Sequence, residues 1–348
     1  MTADEQSPRW LAFDIGGANL KASHADGPAI SRPFELWKRP GDLAEALADL
    51  AGVMPPADAW AVTMTAELCD CFSSKADGVR AILAATTEAA GGRPVRVWGT
   101  DGQFHAVEAI LARPRLAAAS NWLALATVVA RSGFGTSGLL IDVGSTTSDL
   151  IPWRDGEVCI PLAGRTDHGR LQSGALVYAG IRRTPLCTLG PTLPHRGVAT
   201  AIMAELFATT ADIYLTLGDL PPDSFDRSTS DGNPLTPAAA LDRMARMVGL
   251  DRDDFTPADA RDLAEAAHTL LLGRLAAAAA QVTGQALGGP PPVVVVAGSG
   301  EFLARQVADR VAAPGGPVIS LAESWGRELS AAACAHALIA LIRDETPS

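Results

Sequence analysis

Two stretches of this chain share one plan, and that plan limits the fold more than any other feature. Leu139-Leu-Ile-Asp142-Val-Gly144-Ser145-Thr146-Thr147-Ser148-Asp149-Leu-Ile-Pro152 sets an apolar run against a polar turn bearing a glycine, then resumes the apolar run. Trp10-Leu-Ala-Phe13-Asp14-Ile-Gly16-Gly17-Ala-Asn19-Leu-Lys21-Ala22 repeats it near the N-terminus. Each predicts a strand, a tight turn and a returning strand, because short apolar runs broken by Gly and hydroxyl residues are strands joined by turns. Two copies about a domain's width apart predict two related α/β halves facing one cleft.

The turn residues also carry chemistry. Gly144 permits backbone approach that a Cβ would hinder, and the hydroxyls and amides of Ser145, Thr146, Thr147 and Ser148 are donors for phosphate oxygens. Asp142 and Asp149 flank that turn. Carboxylates repel phosphate alone but suit a hydrated Mg²⁺ that neutralises it, so they imply a metal, with Asp14 in the matching place of the first copy. The plain alternative, a hairpin whose turn merely contains Ser and Thr, is equally compatible with either stretch alone. Their repetition favours the phosphate grip.

At 348 residues the chain has room for a large core and for two or three domains. A net charge of -11 argues against a broad nucleic-acid surface and leaves small ligands, since backbone amides and Mg²⁺ bind phosphate in an acidic protein. Five scattered cysteines (Cys69, Cys71, Cys159, Cys187, Cys334) form neither a zinc pattern nor a disulfide framework. The first residues lack a basic and then apolar leader, which makes cytoplasm the default location. The Ala-rich stretch Leu270–Val282 is interrupted by Arg274 and falls short of the roughly 20 residues a bilayer span needs, so it reads as a buried helix and no membrane association is expected.

Along the chain, strands and helices alternate. Ala29–Trp37 reads as a strand and Gly41–Leu50 as a helix capped by Asp42. Ala59–Thr63 is a buried strand ending in the polar Met64-Thr65-Ala-Glu67-Leu-Cys-Asp70. Ser73–Ala90 is a helix, and Pro94–Trp98 a strand ending in Gly99-Thr100-Asp101-Gly102. Polar groups beyond strand C-termini are where open α/β sheets hold ligands, which makes Glu67 and Asp101 candidates beside the commoner reading of turn-forming carboxylates. Ser120 or Asn121 opens a helix through Val129. Glu157–Leu162 reads as a strand, Val198–Leu217 as an apolar helix, Pro221–Pro237 as a surface loop ill suited to chemistry, and Pro237–Gly249 and Pro257–Thr283 as helices. Loop arginines at 165, 170, 182 and 183 suit a carboxylate or phosphate clamp as well as a solvated basic face. Val293–Ala297 is a buried strand entering the turn Gly298-Ser299-Gly300, whose small residues would let a flat base and ribose lie against the backbone. Val318–Leu321 and a last helix, Gly326–Ile342, close the chain.

Taken together, Asp14-Ile-Gly16-Gly17-Ala-Asn19, Asp142-Val-Gly144-Ser145-Thr146-Thr147-Ser-Asp149 and Val293-Val-Val-Val-Ala-Gly298-Ser299-Gly300-Glu resemble the phosphate-1, phosphate-2 and adenosine motifs of the actin/sugar-kinase/Hsp70 superfamily. The resemblance covers nearly the whole chain, whereas no P-loop and no Gly-x-Gly-x-x-Gly after a strand supports a rival nucleotide fold. It implies two ribonuclease-H-like, actin-like ATPase lobes around a central cleft: residues 1–130, residues 131–325, and a C-terminal piece, 326–348, returning to the first lobe. Tyr178-x-Gly180-x-x-Arg183-Thr184-Pro185 places the chain beside the hydantoinase/oxoprolinase-related branch. Phe13–Lys21, Met64–Asp70, Lys75–Val79 and Ser120-Asn121-Trp122 are similar to the methanofuran-biosynthesis condensing enzymes, whose bacterial members accompany tetrahydromethanopterin-linked one-carbon pathways.

That family resemblance implies a transferase joining an aminomethylfuran-methyl diphosphate to the phenol oxygen of a glutamyl-tyramine or tyrosine acceptor, releasing pyrophosphate. It implies Mg²⁺ held by Asp14, Asp142 and Asp149, phosphate binding by Gly16, Gly17, Asn19, Lys21, Gly144, Ser145, Thr146 and Thr147, and an adenosine-like turn at Gly298, Ser299 and Gly300, with ATP left open as a ligand. Glu67, Asp101 and Asp149 all stand at strand ends as bases for a phenol of pKa near 10, and the choice among them stays open. The implied partners are the two small substrates, without nucleic acid or membrane, and a homodimer is admissible. The rivals are an ATP-dependent small-molecule kinase, a nucleotide-binding sensor or chaperone-like ATPase, and a hydantoinase-type amidohydrolase.

Overall fold

The computed structural model describes residues 8–345; the opening residues on which the leader expectation rests lie outside the described residues. The chain divides into two compact units. The first comprises Met1–Leu140, Ile151–Gln172 and Ile319–Ser348, the second Ile141–Leu150 and Ser173–Val318. The sequence-based cuts fall after residues 130 and 325, so residues 131–140, 151–172 and 319–325 are the segments where the two divisions differ. In the first unit, residues 151–172 belong because Asp167 pairs with Lys75 and Arg170 stacks on Trp122.

One sheet is built from β1 (Trp10–Ile15), β2 (Asn19–His24), β3 (Ala29–Pro33), β4 (Ala59–Met64), β5 (Val95–Trp98) and β6 (Phe104–Ala106), in the order β3-β2-β1-β4-β5-β6. β1 to β3 form an antiparallel meander, while β1, β4 and β5 run parallel. This is the ribonuclease-H-like order. The other sheet uses β7 (Ser137–Val143), β8 (Ser148–Arg154), β9 (Glu157–Val158), β10 (Leu176–Val177), β13 (Val294–Ala297) and β14 (Val318–Ser320), in the order β10-β8-β7-β13-β14 with β9 on β8; β11 (Thr192–His195) and β12 (Val198–Ala201) pair separately. In both sheets the hairpin's first strand is internal, its return strand lies on one side and later strands on the other, β4, β5 and β6 in the first sheet and β13 and β14 in the second. The repeat read in the sequence is thus a repeat of topology, and the fold is α/β.

Every residue of β1 and β4 is buried, which requires cover on both faces. On one face Leu11, Phe13, Ile15, Trp60 and Val62 join Leu43, Leu47 and Leu50 of helix Leu43–Gly52 and Val79, Ile82 and Leu83 of helix Lys75–Ala90 in a single core. Phe13 and Trp60 meet with ring centroids 4.6 Å apart. The opposite face is small and polar: Ala12, Asp14, Ala61 and Thr63. Helices Asn121–Arg131 and Ala333–Glu345 lie over it, and their buried side chains include Trp122, Leu125, Leu338 and Leu341. Among the described residues no helix is long and apolar enough to cross a membrane.

Several elements depart from the sequence reading. Val198–Leu217 is not one helix but β12 followed by helix Thr210–Leu217, because Arg196 (φ 48°) and Gly197 (φ 78°) make a left-handed two-residue turn that folds β11 onto β12. Arg196 is held there by Asp259, to which it donates at 3.0 and 2.9 Å. Glu157–Leu162 shortens to Glu157–Val158, with Pro161 opening a 3-10 turn. The expected last helix breaks at Ala332 into Arg327–Ala331 and Ala333–Glu345. Asp42 makes no capping bond; Ser120 sends its hydroxyl to the Trp98 and Ala117 carbonyls, and Asn121 Oδ1 accepts from the Trp122 amide instead.

Candidate functional site: two amide turns and a buried carboxylate

In the second unit the Gly144 amide donates to the Thr147 carbonyl at 2.8 Å, closing the β7–β8 turn. The segment that follows β10 then consumes the carbonyls: Ile181 N donates to Gly144 O, and Arg182 N and Arg183 N donate to Ser145 O, each at 3.0 Å. Among the described residues the amides of Ser145, Thr146 and Thr147 donate to nothing, so carbonyls face one way and amides the other. Such a concave row of N–H groups attracts anions. The glycine this arrangement demands is Gly180 more than Gly144. A Cβ on Gly180 would stand 2.4 Å from Gly144 O and 2.6 Å from Thr146 N, whereas one on Gly144 would meet Thr147 O at an ordinary 3.4 Å.

The first unit builds the same device. Gly16 N donates to Asn19 O at 3.0 Å, and the stretch beyond β3 takes the carbonyls, Leu36 N to Gly17 O at 2.9 Å and Phe34 N to Ala18 O at 3.0 Å. The amides of Gly17 and Ala18 have no acceptor among the described residues. Antiparallel register sets Asp14 opposite Lys21, and their charged groups are 3.9 Å apart. Asn121 Nδ2 donates to Asp14 Oδ1 at 3.3 Å. Asp14 is 4 % exposed; burial raises its pKa against the pull of Lys21 and Asn121.

Glu67 sits in a 3-10 turn, Ala66–Leu68, just beyond the C-terminus of β4. It is 1 % exposed, and neither carboxylate oxygen has a hydrogen-bond partner. Burial pushes its pKa up to about 7, with the charge of Asp167 adding to the rise, while the Glu67 and Ala119 amides, close by but short of hydrogen-bonding geometry, and the charge of Lys75 oppose it. Lys75 does not neutralise it, since Lys75 Nζ is engaged by Asp167 Oδ2 at 2.6 Å. Gly78 explains how the turn is packed so tightly: its Cβ would stand 2.4 Å from Glu67 O.

The remaining candidates fall as follows. Asp101 accepts from His105 Nε2 at 3.1 and 3.0 Å, a dyad across the β5–β6 turn that includes a residue the sequence reading overlooked, although its spacing of four residues was visible. Asp142 and Asp149 are half-buried on the two strands of the second hairpin. The place of a Gly298 Cβ is 2.4 Å from Asp142 Oδ1 and 2.3 Å from Val143 O, with Gly298 at φ 89°; that of Gly300 is 2.6 Å from Val143 and Ile181 side chains. The space at both glycines is therefore filled by the second hairpin and its neighbour, and Ser299 alone of the three is exposed. Asn19 is half-buried at the start of β2.

Of the loop arginines, Arg170 is buried, pairs with Asp167 at 3.0 Å and lies 4.5 Å over the Trp122 ring. Arg165 donates to the Ile160 and Thr100 carbonyls. Both are structural ties. Among the described residues no group of three or more His, Cys, Asp or Glu side chains is arranged to hold a metal. A cavity of about 330 Å³ beside Leu20, Arg32, Phe34, Arg39 and Glu45 includes none of the candidate residues.

A repeated ribonuclease-H-like order with an amide turn in each unit defines an α/β protein built of two related ribonuclease-H-like units. The hydantoinase/oxoprolinase family model matches residues 58–342. A Methanocaldococcus jannaschii protein named (4-{4-[2-(gamma-L-glutamylamino)ethyl]phenoxymethyl}furan-2-yl)methanamine synthase is 32% identical over 96% of this chain and 98% of its own. A Methanococcus vannielii protein of the same name is 26% identical over 60% of this chain and 91% of its own. The chain belongs to the hydantoinase/oxoprolinase family and, within it, with these synthases. Among solved structures, an archaeal actin homologue shares 13% identity over 97% of this chain and 99% of its own, TM-score 0.46. A non-polymerisable ParM mutant shares 13% over 94% and 98%, TM-score 0.47.

Proposed function

We propose that the chain is a transferase that joins a diphosphorylated aminomethylfuran to a phenolic acceptor, forming an aryl ether and releasing pyrophosphate in the synthesis of a methanofuran-type cofactor. The observation that carries this reading is end-to-end likeness to the Methanocaldococcus jannaschii synthase, 32% over 96% of this chain. That protein's name describes a phenoxymethyl-furan, an ether between a phenol oxygen and a furan-bearing carbon. The outward amides of Ser145, Thr146 and Thr147 suit the leaving group, because they meet its charge as it develops. The phenol oxygen forms the new bond to the furan-bearing methylene, the carbon–oxygen bond to diphosphate breaks, and the phenol proton passes to a carboxylate.

Within the first unit, the carboxylate best suited to exchanging a proton is Glu67. Among the strand-end carboxylates of the first unit, Asp14 has Lys21 and Asn121, and Asp101 has His105, whereas Glu67 has no hydrogen bond and a pKa raised to about 7, suited to proton exchange near neutrality. A Mg²⁺ accompanying the diphosphate fits the second hairpin, since Asp142 and Asp149 bracket the amide turn and such an ion needs only one or two carboxylates beside phosphate and water. When bound it would spread the charge of the departing pyrophosphate. Asp14, the third expected ligand, fits less well because Lys21 already faces it.

The kinase alternative relies on Gly298-Ser299-Gly300 seating adenosine. The close approach of Val143, Asp142 and Ile181 to those glycines gives them a packing role that needs no nucleotide. The test is mass spectrometry of the reaction of 5-(aminomethyl)furan-methyl diphosphate with γ-glutamyl-tyramine and with tyrosine: the ether mass is expected with one of them, and no ether with either would overturn the reading.

A further inference from the structure

Glu67 keeps both carboxylate oxygens without a hydrogen-bond partner although a cation stands close by. The Ala66–Leu68 turn lies on helix Lys75–Ala90: a Cβ on Gly78 would stand 2.4 Å from Glu67 O and 2.7 Å from Glu67 Cα. Lys75 precedes Gly78 by three residues, so the two share a helix face and Lys75 stands one turn from this contact. Its charge acts on Glu67, and its flexible four-carbon stem suits it to change partners between neighbouring carboxylates. Lys75 Nζ is nevertheless held by Asp167 Oδ2, at 2.6 Å.

Asp167 is itself fixed from the core. Its other oxygen, Oδ1, accepts from Arg170 Nη2 at 3.0 Å, and that buried guanidinium lies 4.5 Å over the ring of buried Trp122, an attraction that strengthens with desolvation. Burial is the largest influence on Glu67; among the described residues the charged side chains acting on it are Asp167, which adds to the rise in its pKa, and Lys75, which opposes it, and the 117–120 segment brings the Ala119 amide. We propose that Asp167 is a positioning residue for Glu67: it captures the Lys75 ammonium and so leaves Glu67 free to accept a proton. This rests on the reading of Glu67 as the proton-exchanging carboxylate. In the step it serves, the phenol O–H bond breaks as the ether bond forms, the proton goes to one Glu67 oxygen, and neutral Glu67 then returns it to water. A Lys75–Glu67 salt bridge would hold the carboxylate charged and make it a weaker proton acceptor.

The experiment compares the urea stability of each full-length protein with that of its own Glu67→Gln form, from about pH 4.5 to about pH 9, so that the gap between the two reports the ionisation of Glu67. For the parent the gap should widen up to about pH 7 and then level. Asp167→Asn keeps an oxygen for Arg170 but gives up the charge that holds Lys75; its gap should level at least about one pH unit lower, the effect of a new opposite charge beside a carboxylate. Lys75→Gln should level higher than the parent. The variant carrying both changes should return close to the parent, since no ammonium is left to release. In Asp167→Asn the acidic limb of ether formation should also move to lower pH, with slower turnover at neutral pH. A purely structural ion pair would leave the levelling point of Asp167→Asn where the parent has it, which would overturn the proposal. A double variant that keeps the Asp167→Asn shift would overturn it too, because Lys75 would then have no part in the effect. If Asp167→Asn does not fold, Lys75→Gln decides, at a position 31% exposed, and an unchanged levelling point there overturns the proposal. A parent with no Glu67-dependent gap would remove both the reading of Glu67 and this proposal. Gaps that behave as expected without any ether formed would sink the transferase reading while the capture of Lys75 stands.

Discussion

Replacing Gly180 by alanine isolates what the 180–183 segment does for the amide turn. Gly180 lies outside the left-handed region, so an added methyl acts through space alone: its Cβ would be 2.4 Å from Gly144 O, where 3.4 Å is ordinary contact. Relief needs a shift of about 1 Å, and the glycine has nowhere to retreat. Its amide donates to Thr184 Oγ1 at 2.9 Å, and its carbonyl accepts from Thr210 Oγ1 at 2.8 Å. The turn must therefore move. Overpacking of this kind costs about 1–3 kcal/mol, and about 1 Å of misplacement at a binding site costs on the order of 10²-fold in turnover. Urea unfolding reads the first effect, and ether formation at saturating acceptor the second. The control is Gly284→Ala in helix Pro257–Leu287, where nothing lies within 4 Å of the added carbon and a gain of about 0.5–1 kcal/mol is expected. A Gly180→Ala protein with parental stability and turnover would refute the claim that this contact shapes the turn.

Three further outcomes follow from the site and its surroundings. The neutral form of Glu67 favours folding because its pKa rises from 4.5 to about 7; that stability is full below about pH 4.5 and lost as pH climbs through about 7. Glu67→Gln is therefore expected to unfold at higher urea than the parent at pH 8, by on the order of 2–3 kcal/mol, to converge with it near pH 4.5, and to lose turnover; an unchanged pH dependence of stability would count against the enclosed carboxyl. Arg243→Ala strands the buried Asp212, to which Arg243 donates at 2.8 and 2.6 Å, and should cost about 3–5 kcal/mol in chemical denaturation; less than 1 kcal/mol would contradict the pairing. Asp142→Asn is expected to keep the parental melting temperature within a few degrees while lowering turnover at least about tenfold, through loss of a metal-facing charge, and parental turnover at saturating Mg²⁺ would remove that role.

The two hairpins were legible because burial and turn chemistry are local: Phe13-Asp14-Ile-Gly16 and Ile141-Asp142-Val-Gly144 each encode a buried strand ending in a turn. What remained hidden depends on residues distant in the chain. Nothing around Gly144 in sequence indicates that Gly180 is the glycine its turn requires, or that Gly298 and Gly300 owe their lack of a side chain to Val143. The Arg196-Gly197 turn escaped notice since Arg is a rare occupant of a left-handed position, stabilised here by Asp259 from a helix elsewhere. The excursion 221–237 looked like a plain surface loop because its two acidic anchors, Asp226 and Asp231, resemble ordinary loop solubilisers until Arg182 and Arg243 are placed beside them. Glu67 stood out as a strand-end acid, but its isolation depends on Lys75 turning to Asp167, a pairing no local pattern encodes.

The most direct measurement of the central claim is product stoichiometry in one reaction mixture containing the purified chain, Mg²⁺, ATP, the furan diphosphate and a phenolic acceptor. Ether is followed by mass spectrometry, pyrophosphate by a coupled phosphatase assay and ADP by chromatography. The transferase reading predicts one pyrophosphate for each ether formed, at a rate independent of ATP. ADP release that depends on a small acceptor, with no ether and no pyrophosphate, would contradict it and establish a kinase instead.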